Sequence, residues 1–143
     1  MTAPARTDVI IRHANPGDSA LLIEFLKPFV DEGKLLPRTL SEVEELLGSF
    51  FIADQGGQIV GCAALEIYSR KLAEIRSLAV SSEVRRLGIG KRLVDACLER
   101  AQAQNILEVM AITSSEDFFI SCGFDFTLPG EKKALFYQTR NQI

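Results

Sequence analysis

The sequence is poor in the residues from which several enzyme classes build their active sites. His13 is the only histidine among 143 residues, which excludes a multi-histidine metal site and makes any Ser–His or Cys–His nucleophile depend on this one residue. The cysteines are odd in number and form no Cys-x-x-Cys motif: Cys62, Cys97 and Cys122. Because each lies in an apolar segment, we expect buried, reduced thiols without a catalytic or redox role.

Long apolar runs and an excess of positive charge are also missing. No apolar run approaches the roughly 20 residues that cross a bilayer, and residues 1–8 lack the apolar core of a signal peptide. We therefore expect a cytoplasmic protein with no membrane partner. The net charge of −3 argues against a general nucleic-acid binder, since such proteins carry an excess of cations.

The composition is that of an ordinary globular protein, with 47% hydrophobic and 24% charged residues. A chain of this length supports one core, so we expect residues 1–143 to form a single domain. Strand-like runs lie at Val9–Arg12, Phe50–Ala53, Ile59–Ile67, Leu72–Val80, Leu107–Ile112 and Leu135–Thr139. Helical spacing covers Leu21–Phe29, Val43–Leu47, Ile89–Gln104 and a short segment at Phe118 and Phe119. This order of patterns predicts a mixed α/β fold.

Turn and cap residues sharpen that prediction. The sequence Asp-Gln-Gly-Gly at 54–57 predicts a hairpin turn, because glycine tolerates positive φ, and three successive strands then predict an antiparallel meander. Thr39 with Glu42 three residues later predicts a capping box. Ser114 or Ser115 is expected to cap the last helix, which ends at Gly123.

Residues 85–92 combine two glycines with four cations at the predicted start of a helix. The N-terminus of a helix carries about half a positive charge and favours Asp or Glu, so crowding cations there costs stability unless an anion binds. Exposed N–H groups flanked by Arg and Lys suit a pyrophosphate. A solvated basic turn is the alternative. The spacings of a Walker phosphate loop and of a dinucleotide fingerprint are both absent.

Two motifs in this part of the chain resemble those of a known family. Arg85-x-x-Gly88-x-Gly90, after a strand that ends Leu-Ala-Val at 78–80, resembles the Q/R-x-x-G-x-G/A acyl-CoA signature of the GNAT superfamily of N-acetyltransferases. The sequence FFISCGF at 118–124 resembles its second signature, F-Y-x-x-x-G-F. The likeness extends over nearly the whole chain. The segments at 32–39 and 61–65 are similar to the acetyltransferase domain of bacterial N-acetylglutamate synthases.

The resemblance implies a mixed, mostly antiparallel sheet flanked by about four helices, with a splayed strand pair that forms the acyl-CoA cleft. Acetyl-CoA would be the co-substrate, and no metal is implied. The backbone at 78–80 would pair with the pantetheine arm, and the Leu78 N–H would polarise the thioester carbonyl. The implied cofactor-binding residues are Leu78, Ala79, Val80, Arg85, Arg86, Leu87, Gly88, Ile89, Gly90, Lys91 and Phe119.

Glu74 lies where many members of this family keep a glutamate that acts on the incoming amine. The chemistry fits independently: an ammonium cannot attack a thioester, so a carboxylate that removes a proton supplies general-base catalysis. The alternative is a surface ion pair with Arg76, which lies two residues further along the same strand face. Phe119 replaces the family's tyrosine, which protonates the departing CoA thiolate, and the source of that proton is left open.

The synthase-like resemblance favours the α-amino group of glutamate, or of a related amino acid, as the acceptor. Arg38 and Arg76 would bind its carboxylates, because the guanidinium fork pairs bidentately with a carboxylate, and Lys34 is a third candidate. The alternative is that these three side chains are ordinary solvated charges. Another small amine, a peptide N-terminus or a non-catalytic acyl-CoA-binding module are the rival functions. The sequence does not fix the oligomeric state, so a homodimer stays open.

Overall fold

The computed structural model describes residues 8–126, 130 and 134–139. It divides into two compact units, residues 1–112 and 113–143. The first unit contains β1 (Val9–His13), α1 (Ser19–Asp31), α2 (Leu40–Glu45), β2 (Phe50–Gln55), β3 (Gln58–Ile67), β4 (Leu72–Val80), α3 (Ile89–Ala103) and β5 (Glu108–Met110), and the second contains α4 (Glu116–Ser121). The single domain stays a prediction.

A five-stranded sheet in the order β1-β2-β3-β4-β5 forms the centre of the first unit. The first four strands are antiparallel neighbours, and β5 runs parallel to β4. The predicted hairpin at 54–57 is confirmed, with positive φ at Gly56 and Gly57. The α/β class and the mostly antiparallel sheet of the sequence prediction are therefore confirmed.

Helices cover both faces of this sheet, which explains why its central strands are apolar without strict alternation. On one face, the buried side chains of α1 and α2 join those of β2, β3 and β4 in one cluster: Leu22, Leu26, Val43, Phe50, Ile52, Cys62, Ala64 and Ala79. On the other face, α3 buries the predicted apolar stripe, which includes Leu93, Val94 and Cys97. A Cβ on Gly61 would lie 3.1 Å from Leu93 Cδ1 and 3.2 Å from the Ala79 carbonyl oxygen, a tight contact that glycine avoids where the helix approaches β3.

A β-bulge interrupts the pairing of β3 with β4. Cys62 pairs with Ala79 and Ala64 pairs with Arg76, so two residues of β4, Ser77 and Leu78, face one residue of β3. Ser77 adopts a φ of 55°, which is uncommon for a residue other than glycine. The bulge turns the backbone of β4 just before the segment predicted to bind the pantetheine arm.

The strands β4 and β5 separate soon after they meet. Their parallel pairing joins Leu72 with Glu108, Ala73 with Val109 and Glu74 with Met110, and β5 ends there. From Ile75 to Val80, the outer edge of β4 has no strand partner in the described part of the chain. The splayed strand pair of the sequence prediction is thereby confirmed.

Capping predictions meet different outcomes. Thr39 and Glu42 form the expected capping box, with reciprocal bonds of 3.1 Å. The cap at the last helix is wrong, because Ser115 at the N-cap position makes no capping bond through its side chain. Instead the backbone N–H of Ser115 donates to Thr113 Oγ1. Gly123, with a φ of 96°, ends α4 as expected.

The strand predicted at Leu135–Thr139 is wrong. The structure forms no strand there, and Leu135 and Tyr137 are about nine-tenths exposed. Strand-forming side chains make a strand only beside a paired neighbour.

Burial raises the pKa of the Cys62 and Cys97 thiols to about 12, consistent with inert residues, whereas Cys122 is partly exposed. Among the described residues, no helix is both long and apolar enough to cross a membrane.

Candidate active site

The turn between β4 and α3 has the geometry of an anion site. After β4, residues 82–87 form a short 3-10 helix, and Gly88 then adopts a left-handed conformation with φ 72° and ψ 22°. That conformation favours glycine and delivers the chain directly into the first turn of α3. Gly88 at the N-cap position has no side chain to cap α3, and the first turn of the helix contains no acidic residue. Within the described part of the chain, the leading N–H groups of the helix therefore have no side-chain partner and suit a ligand.

The four cations around this turn are not equivalent. Arg92 donates to the Val9 carbonyl at 2.9 Å, and Lys91 lies 3.4 Å from Asp95. Arg85 and Arg86 are exposed and form no ion pair with any residue that the structure describes. These two guanidinium groups are thus the ones available to a pyrophosphate without loss of an existing contact.

The acceptor side of the site is built around two glutamates that face each other. Glu66 on β3 is the cross-strand partner of Glu74 on β4. Glu74 is buried, with 9% of its surface exposed. Between the two carboxylates lies the hydroxyl of Tyr68, which is 2.5 Å from Glu74 Oε1 and 3.2 Å from Glu66 Oε2. Like charges placed directly opposite destabilise a strand pair, so this arrangement needs the contacts that follow.

Both predicted arginines bind Glu66. Arg38 donates from Nη2 to Glu66 Oε1 at 3.2 Å and from Nε to Ser77 Oγ at 2.9 Å, and Arg76 donates from Nη1 to Glu66 Oε2 at 3.1 Å. Although burial disfavours the charged form of Glu66, the bond from Arg76 and the charges of both arginines lower the pKa of its carboxyl below the ordinary value. Glu66 is therefore an ionised anchor, held by two guanidinium groups.

This geometry corrects two of the alternatives drawn from the sequence. The proposed ion pair between Glu74 and Arg76 is wrong, since the ion pair of Arg76 is with Glu66. The side chain of Arg38 is 9% exposed, so it is not a solvated charge. Lys34, in contrast, is about half exposed and pairs with Glu32 at 2.9 Å. It does not take part in the Glu66 cluster.

Three residues of this cluster were missed in the sequence: Glu66, Tyr68 and Ser77. The usable signal was strand register. The backbone N–H groups of Tyr68 and Ser69 both donate to the Leu72 carbonyl, which makes a tight connection between β3 and β4. A connection of that length sets Glu66 against Glu74. Neither the bulge nor the partner of Arg38 leaves a comparable trace in the sequence.

An apolar cavity of about 460 Å³ lies between α1 and the segment that follows it. Its wall includes Ile23, Val30 and Leu35, and also Arg38 and Ser77 from the charged cluster. A larger depression of about 620 Å³ lies beside β1 and α3, but its three arginines are already engaged. Arg92 and Arg100 donate to backbone carbonyls, and Arg12 pairs with Asp18 and Asp54. The smaller cavity is the one next to the candidate chemistry.

Phe119 belongs to the second unit. It is buried, and its ring lies edge-on to those of Phe118 and Phe124, with centroids 5.1 and 5.2 Å away. As a phenylalanine it has no proton to donate. Its predicted contact with the cofactor stays a prediction.

The chain matches the acetyltransferase (GNAT) family over residues 20–124. It is 36% identical over 117 residues to an uncharacterized N-acetyltransferase of Chlorobaculum tepidum, a match that covers 82% of this chain and 76% of that protein. It is 31% identical over 140 residues to the amino-acid acetyltransferase of Pasteurella multocida, which covers 93% of this chain and 32% of that one. The chain thus spans about a third of the length of this second relative.

A solved structure supports the same kinship. The N-acetylglutamate synthase of Neisseria gonorrhoeae, complexed with coenzyme A and N-acetyl-glutamate, is 29% identical and superimposes with a TM-score of 0.72, covering 79% of this chain and 27% of that one. The open N-terminus of α3, Gly88 and the two exposed arginines suit the phosphates of such a cofactor. Acetyl-CoA is therefore the co-substrate. This chain belongs to the acetyltransferase (GNAT) family and is an acetyl-CoA-dependent N-acetyltransferase.

Proposed function

We propose that the chain acetylates the α-amino group of an amino acid, with glutamate as the expected acceptor and Glu74 as the general base. The observation that carries the proposal is the position of Glu74. It is a buried carboxylate on the last residue of β4 that pairs with β5. The bulge and the open edge at 75–80 follow directly along the same strand.

In the proposed reaction, Glu74 takes a proton from the ammonium group of the acceptor, and the free amine then attacks the thioester carbonyl. The nitrogen gives up a second proton to water once the C–N bond has formed. The N–H of Leu78, the second residue of the bulge, would donate to the oxygen that becomes negatively charged. The C–S bond then breaks and CoA leaves as a thiolate. A thiol of pKa near 8.5 is a tolerable leaving group, so water can return the proton that the family's tyrosine would supply.

The two arginines support an acceptor with carboxylates. Each guanidinium has five N–H donors, and the bonds to Glu66 and Ser77 use two from Arg38 and one from Arg76. An acceptor carboxylate can therefore join the cluster without breaking it. Arg38 also lines the apolar cavity, which has room for a small amino acid. The relative in Pasteurella multocida is named an amino-acid acetyltransferase, and we extend that activity to this chain.

A thiol-release assay with acetyl-CoA against free amino acids, simple amines and short peptides tests the proposal. We expect glutamate to react fastest and glutamine to be a poor acceptor, because a neutral amide does not compensate the desolvation of a guanidinium. Faster reaction of a simple amine or a peptide would overturn the acceptor assignment. Binding of acetyl-CoA without turnover of any acceptor would favour the rival, a non-catalytic binding module.

A further inference from the structure

The hydroxyl of Tyr68 lies between the two facing glutamates, yet it has only one proton to donate. Glu66 already accepts bonds from Arg38 and Arg76 on its two oxygens. The contact from Tyr68 to Glu74 is 2.5 Å, whereas that to Glu66 is 3.2 Å. A bond from a hydroxyl to a carboxylate is short and strong, so the geometry assigns the proton to Glu74 Oε1.

This donor is permanent under working conditions. Partial burial of the hydroxyl and the bonds to Glu74 and Glu66 raise the pKa of Tyr68 to about 12. The hydroxyl is therefore protonated at any pH at which the enzyme is expected to work. Its backbone is also fixed, because the Tyr68 N–H donates to the Leu72 carbonyl at 3.0 Å.

The other groups around Glu74 do not replace this bond. From β3, Glu66 presents a like charge directly opposite. From β4 and the segment before α2, Arg76 and Arg38 direct their bonds to Glu66, and β5 contributes Met110 as the neighbour of Glu74. Among the described residues, Tyr68 supplies the one hydrogen bond from a side chain to Glu74.

We propose that Tyr68 is the positioning residue of the general base: its hydroxyl holds Glu74 Oε1, so that the other carboxylate oxygen takes the proton of the acceptor amine. This inference rests on the proposed role of Glu74. It requires no proton transfer by Tyr68 itself. The hydroxyl holds the carboxylate of Glu74 in one orientation beside a second, repelling carboxylate.

Comparison of Tyr68→Phe with Tyr137→Phe and Glu74→Gln tests the inference. Tyr137 is the only other tyrosine and is 90% exposed, which makes it a matched control. For Tyr68→Phe, we expect kcat to fall about ten-fold, because the variant loses one charge-assisted hydrogen bond to the base. The KM values of both substrates should stay within about two-fold of the parent. A lowered kcat with unchanged KM values separates a positioning role from a structural one, because a misplaced base slows the chemical step and leaves substrate binding intact.

The outcomes separate the two proposals. If Glu74→Gln loses activity while Tyr68→Phe matches Tyr137→Phe in kcat, Tyr68 has no positioning role and the general base stands. If Tyr68→Phe instead lowers the melting temperature and raises the KM values with kcat unchanged, its role is only structural and the inference is wrong. If Glu74→Gln is as active as the parent, Glu74 is not the base and the role of Tyr68 falls with it.

Discussion

The two halves of the site are built in opposite ways. The turn at 82–92 that we propose for the cofactor is continuous in sequence, mostly exposed, and presents backbone N–H groups at the start of one helix. The proposed acceptor cluster takes side chains from β3, β4 and the segment before α2. It consists of Arg38, Glu66, Tyr68, Glu74, Arg76 and Ser77, of which Glu74 and Arg38 are largely buried. A site of the first kind depends on local conformation, and one of the second kind depends on which strands lie side by side. The two should fail differently when single residues are changed.

The largest expected effect is at the base of the acceptor cluster. Glu74→Gln removes the proton acceptor but keeps the volume of the side chain, and we expect kcat to fall by about 10² to 10⁴ with the affinity for acetyl-CoA unchanged. The deficit should shrink as pH rises, because more of the acceptor amine is then unprotonated. Initial rates from about pH 6 to 9 measure both effects.

Glu108→Gln serves as the control for Glu74→Gln. Glu108 lies on the neighbouring strand β5 as an exposed glutamate, opposite Leu72. It should retain the turnover of the parent at every pH. Equal losses in the two variants would mean that any charge change near this sheet edge lowers activity, and the comparison between the two halves would lose its meaning.

The cofactor half is tested by Gly90→Asp. Gly90 is the second residue of α3, where an aspartate favours the helix dipole, so the fold should be kept. The added negative charge opposes the phosphates, and we expect the affinity for acetyl-CoA to fall about a hundred-fold by calorimetry. Gly90→Ala is the control, since the Q/R-x-x-G-x-G/A signature accepts alanine there. An unchanged affinity in Gly90→Asp would show that the pyrophosphate does not bind at this turn.

The same contrast explains how much could be predicted from the sequence. The start of α3 after Gly88 was predicted because Gly88 and Gly90 are local signals, and the hairpin and the Thr39 capping box were predicted for the same reason. Binding of the cofactor at this turn stays a prediction. Strand propensity gave a wrong prediction at 135–139, where no neighbouring strand pairs with the segment in the described part of the chain.

The acceptor cluster was only half predicted. Arg38, Glu74 and Arg76 were predicted one by one, but Glu66, the common partner of the two arginines, was not. Glu66 and Arg38 are 28 residues apart in sequence, and no spacing rule joins them. Only the fold brings Glu66 and its two arginines together, and this contact also bears on the choice of acceptor.

Arg38→Ala is the next test, with a smaller expected effect. Loss of a desolvated, charge-assisted pair costs roughly 1.5–3 kcal/mol, so the KM for glutamate should rise by about one to two orders of magnitude, with the KM for acetyl-CoA nearly unchanged. Lys34→Ala is the matched control, because Lys34 lies in the same segment but is exposed and paired with Glu32. A similar KM for glutamate in the two variants would remove Arg38 from the acceptor site.

The smallest effect is expected from Glu66→Gln. This substitution changes the carboxylate that holds Arg38 and Arg76, and leaves the two arginines themselves in place. In the parent, the charges of Arg38, Arg76, Glu66 and Glu74 cancel, so an acceptor with two carboxylates meets a neutral cluster. The variant leaves one positive charge uncompensated. We therefore expect the KM for glutamate to fall about three-fold relative to that for glutamine, measured by thiol release with both acceptors. An unchanged ratio would show that Glu66 has no part in acceptor choice.

Stability gives an independent readout of the same substitution. The folded protein lowers the pKa of Glu66, chiefly through Arg76 and Arg38, which act against burial. A carboxyl of this kind stabilises the fold fully above its unfolded pKa of about 4.3, and the contribution is lost as pH falls through the folded value. The melting temperature of Glu66→Gln should therefore lie below that of the parent at neutral pH, and the difference should shrink as the pH is lowered below about 4. A difference that is constant with pH would mean that packing of the side chain, and not its charge, holds the two arginines in place.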